Sequence, residues 1–298
     1  GIFWIREDFR IENNPALSFA TQNHDSVIAL YIYNNNDFDN KREAQKWWVF
    51  KSLESFKNEL SPYKINLEIV KGDELAIFSK LNKKDNVSIY WNKIYEPDVI
   101  LKGKKIRDLF IKNEINFKYF KGNILNEFQD VTKNDKTPFK VFTPFWRTAE
   151  KIYLDSPPSK NYTIKKKLQN KSFFKNCIVP NNILPKKNWH KKFEKYWNVS
   201  ENDSKKILKN LIANKIKDYG TSRDIPSIEG TSKLSPYIKF GQIHVGTIWK
   251  RCNEIKSKSI GYRKYINELG WREFSHSLIN YFPEFLNGNF RKDFDKFP

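Results

Sequence analysis

The sequence predicts a doubly wound α/β domain with a five-stranded parallel sheet, followed by a long linker and an all-α domain. Three observations predict it. Short apolar runs alternate with amphipathic stretches from residue 1 to about 125. A lysine- and proline-rich stretch without sustained period follows from 126 to 188. Helical periodicity with few strand runs then fills 189 to 298.

The strand candidates, in order, are Ile2–Ile5, Val27–Tyr33, Asn66–Val70, Val87–Trp91 and Asn116–Phe120, with helix candidates over 15–23, 40–60, 73–83 and 97–113 between them. One helix between successive strands implies parallel pairing, because a parallel partner is reached only by a crossover connection. A dinucleotide-binding version of such a domain needs a glycine-rich first turn. Here that turn reads REDFRIENNP, which argues against a nicotinamide dehydrogenase. The stretches TKNDKTPFKVFTPFWRTAEK, DSPPSKNYTIKKK and IVPNNILPKK read as a connection between domains. After it, 189–196, 203–219, 236–254 and 259–282 read as helices, and no internal repeat is visible.

Bulk properties narrow the function. A chain of 298 residues with 39% hydrophobic content can bury two cores. There is no apolar run of membrane-spanning length, and GIFWIREDFR lacks the regions of a secretory signal, so a cytoplasmic protein without membrane partner is expected. Cys177 and Cys252 form no CxxC pair, and His24, His190, His244 and His276 show no metal-ligand spacing; no metal is expected. The 54 Lys+Arg against 34 Asp+Glu give a formal charge of +20. That charge suits a polyanionic partner, and equally a lysine-rich composition that merely solvates the surface. With no Met anywhere and an end at KDFDKFP, the chain is expected to be a piece of a longer protein.

Two stretches carry chemistry. In RDIPSIEGTSKLSPYIKFGQI, Gly230-Thr231-Ser232 sets two hydroxyls beside a flexible backbone, and Ser235-Pro236 is a helix start; free N–H groups and hydroxyls there suit phosphate, although a plain cap has the same sequence. In INELGWREFSHSLINYFPEF, Glu268, Trp271, Arg272 and Ser275 fall at i, i+3, i+4 and i+7. They form one mixed stripe, either a solvated surface held by the Glu268/Arg272 pair or the wall of a polar cavity.

EGTSKLSPYIKFG and NELGWREF, with FWIREDFRIENNPAL, VFTPFWR and NFRKDFDKFP, resemble the DNA photolyase and cryptochrome family in five motifs in the family's order. The resemblance implies an antenna-binding domain over 1–125, a linker over 126–188 and the first part of a helical FAD-binding domain over 189–298, further helices lying beyond. It implies that Tyr219, Thr231, Ser232, Lys233, Leu234 and Ser235 contact the phosphates and ribityl chain of FAD, and that Tyr265, Glu268, Arg272 and Ser275 line the flavin pocket. Lys233 stands where the family commonly has Arg. Trp271 would stack on a flipped pyrimidine dimer, Glu268 would hydrogen-bond the damaged base, and Arg223 would contact the substrate or its backbone. Glu268 with Trp271 looks like a cyclobutane-dimer photolyase, acting by electron transfer from reduced, excited FAD on damaged DNA, as a monomer without obligate protein partner. A cryptochrome-like photoreceptor, a (6-4) photolyase and a basic nucleic-acid-binding module stay open. Asn92 and Tyr95-Glu96-Pro97 match the family after the fourth strand, but Asp98-Val99 stands where folate binders often carry Asn-Glu, which weakens folate as the second antenna chromophore and leaves a deazaflavin, a flavin or no antenna open.

Overall fold

The computed structural model describes residues 1–34, 43–155, 162–164, 168–184, 188–256 and 258–296. Five parallel strands, β1 (Ile2–Ile5), β2 (Ile28–Tyr33), β3 (Asn66–Lys71), β4 (Ser88–Asn92) and β5 (Asn116–Phe120), are ordered β3-β2-β1-β4-β5. All residues of β1 and β2 are buried, as strands covered on both faces must be. The strand order reverses between β1 and β4, where Phe3 pairs with Ala29 on one side and Tyr90 on the other.

Helices α1 (Pro15–Asn23), α2 (Glu43–Leu60), α3 (Glu74–Phe78) and α4 (Pro97–Lys112) connect the strands. The start of α1 is fixed by Asn14, whose side chain accepts from Leu17 N at 3.2 Å, with Pro15 in the first turn. The helix expected over 40–60 is seen from Glu43; residues 40–42 lie outside the described residues. The one expected over 73–83 is shorter, because Asp73 caps it and Asn82 opens a separate 3₁₀ turn.

Three expectations fail in the second half. The stretch read wholly as linker contains a helix, α5 (Phe142–Asp155), packed on α10 (Ile260–Tyr281). Pro144 suggested a turn, but in the first turn of a helix proline costs nothing. The helix expected over 236–254 is two, α8 (Ser235–Lys239) and α9 (Val245–Asn253), because Gly241 at φ +73° turns the chain between them. The stretch 203–219 becomes α6 (Glu201–Asn210), a π turn at Leu211–Lys215 and the start of α7 (Tyr219–Ser222). No described helix is long and apolar enough to cross a membrane.

The α/β and helical parts are riveted by buried polar groups. Arg10, 1% exposed, donates to the Gly241 carbonyl at 3.0 Å. Glu201 accepts from Ile11 N at 2.6 Å and pairs with Lys205 at 2.7 Å, while its own N–H donates to Glu59 at 3.2 Å. Burial, reinforced by the Glu201 carboxylate, pushes the Glu59 carboxyl up to about 7. A carboxyl raised in the folded state holds its proton more tightly folded than unfolded, so stability falls as pH rises from the ordinary carboxylate range to about 7. Glu59→Gln should therefore raise the thermal midpoint above neutral pH, with the gain over the native chain vanishing at about pH 4. Paired melting curves across that range check it.

Candidate functional site

A cavity of about 400 Å³ opens at the carboxyl ends of β1 and β4, the point of strand reversal at which open α/β sheets bind ligands. Glu7, Asp8 and Arg10 enter it from the segment after β1, and Asn92 and Lys93 from the end of β4. The opposite wall comes from the helical part: Tyr219 of α7, Ser232 and Ser235 at the start of α8, and Tyr265, Glu268, Arg272 and His276 along α10.

On the sheet side, polar groups are locked. Asn92 donates to Asp8 at 2.6 Å and to Asn14 at 2.8 Å, and the Arg6 N–H donates to the other Asp8 oxygen at 2.8 Å. Burial pushes the Asp8 carboxyl up, and Arg10 with these hydrogen bonds opposes the shift. Lys239 bridges Glu7 and Glu96, 2.6 Å from each, and so ties the end of α8 to both sheet-end segments.

On the α10 side, Arg272 is held from two directions. It donates to Glu273 at 2.7 Å and to the Asn123 carbonyl at 2.8 Å. Glu273 also accepts from Leu125 N at 2.6 Å; burial raises its carboxyl, with Arg272 as the main opposing charge. Burial, then Arg272 and Lys239, holds His276 down at about 3, so its imidazole in the cavity wall is neutral at physiological pH. Tyr219 and Tyr265 meet edge to face, 5.0 Å apart at 85°, and burial raises both phenols. The wall carries as many carboxylates as cations, so the +20 of the chain is not concentrated here.

The structure thus brings Tyr219, Ser232, Ser235, Tyr265, Glu268 and Arg272 to one cavity. It does not bring the other expected residues there. Leu234 is a core residue, 0% exposed. Thr231 is exposed beside the turn, and Lys233, at φ +56°, pairs with Glu229 instead of facing inward. Ser275 points outward, its hydroxyl donating to the Trp271 carbonyl at 2.9 Å. Arg223 reaches the site indirectly: it pairs with Glu268 and lies over the Tyr219 ring at 5.7 Å.

The main correction concerns Trp271. Expected to face a flipped dimer beside Glu268, it is not among the residues that line the cavity; it is 47% exposed and stacked on Phe142 of α5 at 3.8 Å and 8°. Spacing selects residues that share a face but not the direction the face looks. At 3.6 residues per turn, the cavity-facing stripe of Tyr265, Glu268, Leu269, Arg272 and His276 is centred roughly 60° round the helix from the stripe of Glu268, Trp271, Arg272 and Ser275.

Sequence reasoning missed Glu7, Asp8, Arg10, Asn123, Lys239 and His276. For those of the first turn a signal existed, since ligands collect at the strand-order reversal, and its position follows once the strands are placed in the sheet. His244, expected to be ordinary, caps α9 by accepting from Gly246 N at 2.9 Å, while its other nitrogen contacts the Gly122 carbonyl at 3.2 Å. Among the described residues, no group of three or more His, Cys, Asp or Glu side chains is arranged to hold a metal ion.

Comparison with known proteins adds three findings. The family model described as DNA photolyase matches residues 1–163. A deoxyribodipyrimidine photo-lyase of Agrobacterium fabrum is 28% identical over 305 aligned residues, covering 99% of this chain and 62% of the relative, and Cryptochrome-2 of Arabidopsis thaliana is 23% identical over 95% of this chain and 49% of its own. The crystal structure of a bacterial class III photolyase from Agrobacterium tumefaciens superposes with a TM-score of 0.87 at 27% identity, covering 100% of this chain and 62% of that one. The chain therefore spans about three fifths of the length of these photo-lyase relatives.

Proposed function

The chain belongs to the DNA photolyase family, and from that premise we propose that the protein repairs cyclobutane pyrimidine dimers in DNA by light-driven electron transfer, with FAD in the cavity. The observation that carries this reading is the convergence of Ser232, Ser235, the Tyr219–Tyr265 pair, Glu268 and Arg272 on one cavity wall. These residues fit a flavin dinucleotide chemically. Hydroxyls at the start of α8 suit phosphate, buried aromatic rings suit flat heterocycles, and a fixed guanidinium suits a carbonyl or phosphate oxygen. Reduced FAD, when bound, supplies the excited-state electron.

The chain's own residues do the rest. Arg272, clamped by Glu273 and the Asn123 carbonyl, presents its remaining donors in a fixed direction. Glu268 sits on the cavity wall, and Trp271, exposed and outside the lining, follows it one turn later on α10. A base extruded from the duplex finds an aromatic surface at Trp271 and a hydrogen-bonding carboxyl at Glu268. A dimer, which pairs and stacks poorly, costs less to extrude than an intact base, and this difference is one source of selectivity. Arg223, which pairs with Glu268, is in this reading the cation that turns to a backbone phosphate when DNA binds.

The complete polypeptide, purified with reduced flavin, is expected to clear dimers from an oligonucleotide under blue light and not in the dark. Loss of one stacking side chain in Trp271→Ala should weaken binding to dimer-containing DNA about 10- to 100-fold while leaving binding to intact DNA nearly unchanged. A flavin-loaded protein that reduces in light but leaves dimers intact, with Trp271→Ala silent, would assign signalling instead, in line with the similarity to Cryptochrome-2.

A further inference from the structure

Resting on the reading of Trp271 as the surface that receives the lesion, we infer that Phe142 is a positioning residue for lesion recognition: it fixes the plane of the Trp271 indole from behind. The ring centroids lie 3.8 Å apart at 8°, so Phe142 stacks on one face of the indole. Trp271 nevertheless stays 47% exposed as a residue. With one face against Phe142 and Phe274 packed at 6.0 Å and 67°, the other face is the one this reading gives to a base.

Phe142 is itself braced. It lies nearly parallel to Trp146 at 6.5 Å and 12°, and edge-on to Phe274 at 6.0 Å. Trp146 is held edge to face by Trp249 at 5.5 Å and donates from its indole N–H to Asn267 at 3.2 Å. Gly270 sets the depth of this packing: a Cβ there would lie 2.5 Å from the Trp146 ring. The brace therefore runs from the buried helix interface through Phe142 to the exposed indole. A solvent-exposed Trp would otherwise sample several rotamers and lose them on binding; a braced one has already lost them, so more of the stacking energy appears as affinity.

The test uses the complete flavin-loaded protein and an oligonucleotide carrying one thymine dimer, titrated in the dark, with Phe142→Leu, Phe142→Tyr, Trp271→Ala and the Phe142→Leu/Trp271→Ala double variant. Leucine keeps bulk without a flat face; tyrosine restores the ring. Phe142→Leu is expected to weaken lesion binding about three- to tenfold, Phe142→Tyr to bind like the native protein, and Phe142→Leu to change nothing once Trp271 is absent. An equal loss from Phe142→Leu in both backgrounds would make its role general packing and overturn the inference. So would a silent Phe142→Leu where Trp271→Ala weakens binding. If Trp271→Ala itself is silent, the reading of Trp271 as the receiving surface fails first, and the inference goes with it.

Discussion

Replacing Gly241 by alanine should destabilise the protein by at least about 3 kcal/mol, a loss of more than a hundredfold in the folding equilibrium. Gly241 sits at φ +73°, where an L side chain costs about 1–2 kcal/mol. A Cβ there would lie 2.1 Å from the Glu7 carbonyl oxygen and 2.6 Å from Asp8 Cα, both backbone atoms with no rotamer to retreat into. The chain after β1 must move, and the buried bond from Arg10 to the Gly241 carbonyl at 3.0 Å stretches with it; a hydrogen bond to a charged group is worth about 1.5–3 kcal/mol. Gly103 of α4 is the control. Its nearest neighbour to an added Cβ is the mobile end of Arg107 at 3.6 Å, so Gly103→Ala should gain up to about 1 kcal/mol from helix propensity. Chemical denaturation of both variants decides the matter: similar stabilities would show that the close approach at Gly241 does not control this turn.

How far the sequence could be read follows from which signals are local. The five strands lie within a residue or so of their expected ends because β1, β2 and β4 are apolar on both faces and single helices separate them. Helix α5 was hidden by the turn chemistry around Pro144, although Phe142, Phe145, Trp146, Ala149 and Tyr153 keep a helical period. At the site, Ser232, Ser235, Glu268 and Arg272 were legible because they fall in two short stretches, EGTSKLSP and NELGWREF, while Lys239 and His276 of the same helical part fall outside them. The residues of the sheet side were not legible. Glu7, Lys239 and Asn123 become neighbours only when the helical part is laid across the strand ends, a pairing more than a hundred residues apart that no local period encodes. The orientation of α10 was lost for the same reason, and with it the true place of Trp271.

The second large effect is expected at Asn123, which joins the segment after β5 to the turn between α8 and α9. Its amide N–H group donates to the carbonyls of Ile238 at 2.8 Å and Ile243 at 3.2 Å, and its amide oxygen accepts from Val245 N at 2.8 Å. Only a primary amide offers donors and an acceptor in that arrangement. Asn123→Asp keeps the shape and the bond to Val245 but turns two donors into a carboxylate oxygen facing two carbonyl oxygens. Two hydrogen bonds are lost and like partial charges oppose each other in a partly buried place, a cost of about 3 kcal/mol or more. Asn123→Ala removes all three bonds without adding a charge, so it should be destabilising yet milder. The order native, Ala, Asp in unfolding free energy near neutral pH is the signature of this amide. Because the Asn123 carbonyl also anchors Arg272 at 2.8 Å, the same order should hold for retention of flavin by the complete protein. A variant series in which aspartate matches the native asparagine would mean that the donors are dispensable, and that the cavity wall is held by the Glu273 contacts alone.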